Sequence, residues 1–195
     1  MLDTRPVWGR RLAVALAVLV AVLAFTTSAS AERALFFEEQ ASAFWAVPHE
    51  CVDGTVVQGT LLVLSTRDFE SPDTEDAEPT ARVQFQAVCP DGSSFSWAAP
   101  TAPATITSTE NLKSVTATGS GMARDQLGGL HEVTFDVTWT AVGPLETTVN
   151  GPGSKRQQRT ASATGQVTFD GEVLVNGEAN HPTRPAPFIR VDTEK

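Results

Sequence analysis

The feature that most constrains this fold is an alternation of apolar and polar side chains with a period of two residues. Between residues 131 and 142, the odd positions from Val133 to Ala141 are apolar and the even positions are Glu, Thr or Asp. The same alternation recurs at residues 83–87 and 160–169. Because successive side chains of a strand point to opposite faces, each segment has one buried and one solvated face. This pattern is typical of antiparallel sheets.

Turn residues between these segments indicate hairpins. Asp53-Gly54, Asp170-Gly171 and Asn176-Gly177 are expected to form two-residue turns, because Asn, Asp and Gly tolerate positive φ. Gly128-Gly129 and the Asn-Gly-Pro-Gly run at 150–153 mark two further reversals. The sequence therefore predicts an all-β fold, an antiparallel β-sandwich or barrel of about seven to ten strands.

The segment from Ala34 to Trp45 fits two kinds of local structure. It is rich in Ala, Glu and Gln, and its aromatic residues fall on one face of a helix. A strand is preferred for its second half, because that half leads directly into the turn at Asp53-Gly54. A short helical start at residues 33–40 is the alternative.

The two cysteines lie in similar settings. Cys51 and Cys89 each precede an Asp-Gly pair, with one residue between, at the end of an apolar-patterned segment. In an oxidising compartment two such cysteines pair, so we expect one Cys51–Cys89 disulfide. The alternative is a metal site built from both cysteines and His49, but it lacks a second pair of ligands at zinc-like spacing. No cofactor is expected.

The first 31 residues have the pattern of a secretory signal peptide. Three arginines precede an apolar run from Leu12 to Phe25, and Ala29-Ser30-Ala31 follows as a small-x-small cleavage pattern. The run is shorter than the roughly 20 residues that cross a bilayer, and no later stretch reaches that length. We therefore expect cleavage after Ala31 and a single secreted β domain over residues 32–195, outside the cell or in its envelope. An uncleaved anchor is the alternative.

Charge narrows the range of partners. Of 14 basic and 23 acidic residues, three Arg and one Asp lie in residues 1–31, which leaves 11 and 22 in residues 32–195. Such an acidic chain repels phosphate backbones, so we expect no nucleic-acid partner. Six of the acidic residues lie at 68–80, which we interpret as a solvated surface loop, with a calcium site as the alternative. Residues 180–195 form a Pro-rich C-terminal segment.

Two groups of residues are candidates for binding. Lys155, Arg156 and Arg159 gather three cations within five residues, and an anionic cell-surface polymer is the partner that such a cluster fits. Of the tryptophans, Trp45 stands near a proline at a sheet edge and is the one we expect to be exposed, whereas Trp97 and Trp139 continue inward rows.

No catalytic or phosphate-binding motif stands out. The chain contains no G-x-S-x-G, no H-E-x-x-H and no phosphate-cradling loop. We therefore expect an exported β-domain protein that acts as a non-catalytic binding or structural module. The alternatives are a small extracellular hydrolase and a barrel that carries an apolar ligand. A hydrolase requires a titratable group with a perturbed pKa in a cleft, and a carrier requires an interior cavity.

Two segments of the chain resemble a known group. Residues 139–145 (WTAVGPL) and 159–167 (RTASATGQV) are similar to uncharacterised exported β-proteins of bacteria. The resemblance spans residues 139–167, about a sixth of residues 32–195. It implies an exported β fold and brings no activity or site residue with it.

Overall fold

Ten β-strands and one 3₁₀ turn account for most of residues 36–70 and 78–194, the part of the chain that the computed structural model describes. The strands are β1 (Phe36–Glu50), β2 (Val56–Glu70), β3 (Thr80–Val88), β4 (Ser94–Ser108), β5 (Ser114–Asp125), β6 (Leu130–Ala141), β7 (Glu146–Gly151), β8 (Ser154–Phe169), β9 (Glu172–Glu178) and β10 (Phe188–Glu194). The 3₁₀ turn, Glu110–Leu112, joins β4 to β5. Every strand pairing is antiparallel, which confirms the predicted all-β class.

The sheet closes into an eight-stranded barrel. Strands β1 to β6 follow one another in a meander, β8 pairs with β6, and β10 pairs with both β8 and β1. Strand β7 pairs with β8 on the same edge of β8 as β6 does. Strand β9 pairs with β8 on the other edge, the one that β10 also uses. Of the two architectures that the sequence left open, the barrel is therefore the one formed. Closure pairs residues 36–42 of β1 with β10, so this part of the sheet has no free edge.

The barrel interior is filled by the predicted inward rows. Along β6, Val133, Phe135, Val137 and Trp139 are all buried, and the intervening residues are more exposed. Trp45 and Trp97 come from other strands into the same core. These large rings fit because many of the facing positions are small, chiefly Ala41, Ala43, Ala81, Ala87, Ala99, Ala117, Ala123, Ala161 and Ala163. Large and small side chains thus complement one another across the barrel.

Gly59 shows how tight this complementarity is. A Cβ atom at Gly59 would lie 2.4 Å from Cζ of Phe85, which is buried in the core. The Phe85 ring therefore occupies the space that a side chain at position 59 would need.

Several sequence expectations need correction. Residues 36–40 are already part of β1, so the described part of 33–40 is strand and not helix. Asn176-Gly177 is not a turn, because both residues pair with β8 inside β9. The C-terminal segment also contains strand β10, which closes the barrel.

Other expectations fall partly or wholly outside the described residues. The predicted signal peptide, residues 1–31, lies outside them entirely. Of the acidic loop at 68–80, residues 68–70 belong to β2 and Thr80 begins β3, whereas 71–77 are not described. Among the described residues, no helix is long and apolar enough to cross a membrane.

We predict that Gly59→Ala lowers the free energy of unfolding by about 1–3 kcal/mol, because Phe85 must move within a packed core. Denaturant unfolding measures this change. Gly143→Ala is the matched control, since its Cβ would meet Thr160 at an ordinary 3.4 Å, and its effect should stay within about 0.5 kcal/mol. Equal effects of the two substitutions would contradict the packing at Phe85.

Candidate functional site

Four hairpin turns lie together at one end of the barrel. They join β1 to β2, β3 to β4, β5 to β6 and β8 to β9, at residues 51–55, 89–93, 125–129 and 170–171. In an antiparallel meander, alternate connections lie at the same end, so these four turns form a ring. We call this region the hairpin end.

Three of the four turns share one construction. In the first, Cys51 N donates to Thr55 O (2.8 Å) and Gly54 N donates to Cys51 O (2.9 Å), with Gly54 at φ 79°. The same two bonds form at 89–93 and 125–129. These are three-residue loops with glycine in the left-handed region. The first loop comprises residues 52–54, so the prediction of a two-residue turn at Asp53-Gly54 was wrong by one residue. Asp170-Gly171 is a two-residue turn as predicted, with φ values of 50° and 81°.

A disulfide ties the first two hairpins together. Cys51 and Cys89 are bonded, with Cα atoms 6.0 Å apart, which confirms the predicted pairing. Because both sulfur atoms are in that bond, they are not available as thiolate ligands, and the alternative metal site is wrong. His49 instead stacks on Phe95 at 4.9 Å. Among the described residues no group of three or more His, Cys, Asp or Glu is arranged to hold a metal ion.

A continuous stack of rings lies beneath the four turns. Each ring contacts the next with centroids 4.6–6.1 Å apart, in the order His49, Phe95, Phe85, Trp97, Phe169, His131. All six residues occupy inward positions near the ends of their strands. The stack therefore closes this end of the barrel and gives the turns a rigid base.

His131 joins the third and fourth hairpins through two carboxylates. Its Nδ1 lies 2.7 Å from Asp170 Oδ2, and its Nε2 lies 3.2 Å from Asp125 Oδ2. Backbone N–H groups hold both acids in place: Glu132 N donates to Asp170, and Leu127 N and Gly129 N donate to Asp125. We call these three side chains the His131 clasp.

The His131 clasp favours the charged imidazole. Hydrogen bonds that His131 donates to Asp170 and Asp125 raise the pKa of His131 and lower the pKa of both acids. Only the protonated ring donates from both nitrogens at once. With both nitrogens held by carboxylates, the ring has no free nitrogen to accept a proton from a nucleophile. The clasp is therefore suited to a structural role.

Exposed apolar side chains concentrate at the hairpin end. Nine large hydrophobic residues are exposed in the described part of the chain, and seven of them lie here: Val52, Val56, Val88, Met122, Leu127, Leu130 and Val173. Val52 and Leu127 are the most exposed, at 107% and 89%, because each stands at the tip of a turn. The alternation of apolar and polar residues did not predict these exposed side chains. The signal in the sequence was an apolar residue within one or two positions of a turn glycine, where polar residues are usual.

The hairpin end is also acidic. Its acidic residues are Glu50, Asp53, Asp91, Asp125, Glu132, Asp170 and Glu172, with Arg124 and the charged His131 as the opposing cations. Apolar tips therefore project from a negatively charged rim.

The sequence-predicted binding residues lie elsewhere. Trp45 is 2% exposed and its Nε1 donates to Gly177 O (3.2 Å), so the expectation of an exposed ring was wrong. The reason is that Trp45 occupies an inward position of β1, and β9 covers the sheet edge on which exposure was expected.

The three cations at 155–159 are on β8, near the opposite end of the barrel. Arg156 makes a two-pronged ion pair with Asp192, at 2.7 and 3.1 Å. Arg159 donates to the carbonyl oxygens of Asn111 and Gly143. Lys155 is exposed. Two of the three cations thus hold neighbouring parts of the fold together.

Comparison with known proteins adds no relative: no family model, no curated protein and no solved structure matches the chain.

We predict that replacing both cysteines, Cys51→Ser with Cys89→Ser, lowers the free energy of unfolding by about 3–4 kcal/mol, because the unfolded chain loses its 38-residue cross-link. Denaturant unfolding of the oxidised protein and of the double variant measures the difference. A reductant should destabilise the wild type by a similar amount and leave the double variant unchanged. Free thiols in the oxidised wild type would contradict the prediction.

We predict that the His131 clasp makes stability depend on pH. The pKa of His131 is raised above its unfolded value of about 6.5. Its contribution is therefore complete below about pH 6.5 and is lost as the pH rises through the raised value. The unfolding free energy of the wild type, minus that of His131→Gln, should accordingly be larger below about pH 6.5 than at a pH above the raised pKa. His181, whose pKa is lowered, has the opposite effect in both proteins and cancels in the difference.

Asp170→Asn is the second variant for this test. It removes the nearer carboxylate, so the pH dependence of stability should become smaller while the imidazole remains. An identical pH dependence in wild type, His131→Gln and Asp170→Asn would show that the clasp does not contribute.

Proposed function

We propose that this chain is an exported, non-catalytic binding module that contacts a protein partner with its hairpin end. The observation that carries the proposal is the convergence of exposed apolar side chains on one end of the barrel, with Val52 and Leu127 at the turn tips. Exposed hydrophobic groups that gather in one region, surrounded by polar residues, mark interaction surfaces.

The rigidity of the hairpin end supports this function. The disulfide joins the first two turns, Gln126 N donates to Ser96 O between the second and third, and the His131 clasp joins the third and fourth. A surface that is already ordered loses little conformational entropy when it binds. The turn tips are thus held in place before a partner arrives.

The charge of the hairpin end indicates the chemistry of the partner. Seven acidic residues surround the apolar tips, against one arginine and the charged His131. Complementary charge accelerates association and selects among partners. The partner surface that fits has an apolar centre flanked by lysine and arginine. The same acidic rim repels an anionic membrane from the hairpin end.

Export is supported by two features. The disulfide suits an oxidising compartment, and the N-terminal 31 residues have the order of charges, apolar run and cleavage pattern that secretion requires. The proposed location is therefore the extracellular space or the cell envelope.

The two rival functions have less support. A carrier requires interior space, and the described barrel is filled by rings such as Trp139 and Phe135. A hydrolase requires a base that can accept a proton, and both nitrogens of His131, in the ring stack, are held by carboxylates.

The proposal is tested by site-specific photo-crosslinking in the producing cells. A photoreactive amino acid at position 127 should give one discrete adduct with a protein, whereas the same group at Val149 on β7, at the opposite end, should give none. The partner is then purified and titrated with the wild type and with Val52→Asp and Leu127→Asp. Each substitution should weaken binding by about tenfold or more, and higher salt should weaken binding of the wild type.

The controls separate an effect on binding from an effect on stability. Val52, Leu127 and Val149 are all well exposed, so aspartate at any of them should leave the unfolding free energy within about 0.5 kcal/mol. Val149→Asp should also leave binding unchanged. The proposal fails if position 149 crosslinks as well as position 127, if the adduct is lipid or a second copy of this chain, or if Val149→Asp weakens binding equally.

A further inference from the structure

A concave surface lies on the outer face of strands β1 to β3. It is a groove of about 190 Å³ lined by Phe44, Thr60, Leu62, Gln84, Gln86 and Arg184. The first five residues come from outward positions of the three strands, and Arg184 comes from residues 179–187, which connect β9 to β10. We call this connection the strap and the concave surface the strap groove. It lies on the side of the barrel, and Gln86 in its lining is two residues from Val88 of the hairpin end.

The strap is fixed to the sheet beside the strap groove. Ala46 N donates to Asn180 Oδ1 (3.2 Å), and His181 N donates to Phe44 O (3.3 Å). The His181 ring also bonds Thr60, with Nε2 2.8 Å from Oγ1. Three prolines at 182, 185 and 187 restrict the backbone further. Arg184 is thus carried on a connection that is anchored next to the strap groove.

The hydrogen bonds leave polar atoms of the strap groove free for a ligand. Thr183 N donates to Nδ1 of His181, so the proton of the neutral ring is on Nε2 and is donated to Thr60 Oγ1. The Thr60 hydroxyl hydrogen therefore remains available. Burial and the nearby Arg184 lower the pKa of His181, which agrees with a neutral ring.

The glutamine side chains add donors and acceptors. Arg82 Nη2 donates to Gln84 Oε1 (2.7 Å), which orients that amide and leaves its two N–H groups for another acceptor. Gln86 is exposed and offers a complete amide. A hydroxyl group of a sugar ring can both donate and accept a hydrogen bond. The two glutamine amides and the Thr60 hydroxyl can therefore bond such hydroxyl groups.

The remaining lining combines an apolar patch with positive charge. Phe44 and Leu62 are half-buried and present apolar surface, as needed to contact the C–H face of a sugar ring. None of the six lining residues is acidic, and Arg184 brings a guanidinium to the strap groove, although the chain has a net charge of −9. A guanidinium in such a site pairs preferentially with a carboxylate.

We infer that the strap groove binds one sugar unit that carries a carboxylate, such as a uronic acid residue of an anionic surface polysaccharide. The volume is below the roughly 300–1,000 Å³ of sites for drug-sized ligands, so it suits a single ring. Phe44 and Leu62 contact the ring face, Gln84, Gln86 and Thr60 bond its hydroxyl groups, and Arg184 pairs with its carboxylate. This site goes beyond the proposed protein partner and does not depend on it.

The test is an NMR titration of the full chain with methyl glucuronide. The side-chain amide signals of Gln84 and Gln86 should shift and saturate in the millimolar range. Arg184→Gln should weaken binding about tenfold, the loss expected for one charged hydrogen bond. Methyl glucoside, which lacks the carboxylate, should bind the wild type about tenfold more weakly than the glucuronide does.

Two controls separate this site from general attraction of anions. Arg124→Gln removes the same charge from an exposed position on β5 and should leave glucuronide binding unchanged. Acetate carries the carboxylate without the ring and should not saturate the two glutamine signals. The inference is overturned if glucuronide causes no saturable shift, if acetate or methyl glucoside binds as well as glucuronide, or if Arg124→Gln weakens binding as much as Arg184→Gln.

Discussion

Strand β10 lies between β1 and β8, and the barrel is closed because its backbone pairs with both. Without those two ladders, β1 and the first half of β8 would be free edges, and the inward rows would face an open sheet. Closure converts a meander into a barrel with an interior and two ends. The packed core, the hairpin end and the strap groove all depend on it, because the strap is the connection that brings the chain into β10.

Closure also dictates which side chains fit inside. An eight-stranded barrel has an interior just wide enough for side chains to fill, so large rings need small residues opposite them. Gly59 facing Phe85 is one example, and Gly119 facing Phe135 is another. At the hairpin end the inward residues are aromatic, and they stack from His49 to His131. That stack supports the turns, which the disulfide and the His131 clasp then join to one another.

The surface of the barrel is divided by charge. The hairpin end combines apolar tips with carboxylates, whereas the strap groove combines amides, a hydroxyl and Arg184 without an acidic residue in its lining. The two surfaces suit opposite kinds of ligand, a basic protein surface and an acidic sugar. A rigid barrel keeps the hairpin end and the strap groove accessible at the same time, because neither surface has to move for the other to bind.

The sequence by itself determined the all-β class, the disulfide partners and the positions of most predicted reversals, because these depend on local chemistry: alternation such as that at 131–142, the two cysteines and the glycine-containing turns. Tertiary structure alone decided that the sheet closes, that the Pro-rich C-terminal segment supplies β10, and that Asn176-Gly177 continues a strand. It also buried Trp45 and brought His131 between Asp125 and Asp170. Those outcomes depend on which strands become neighbours, and a pattern with a period of two shows which face is buried without showing what lies beside it.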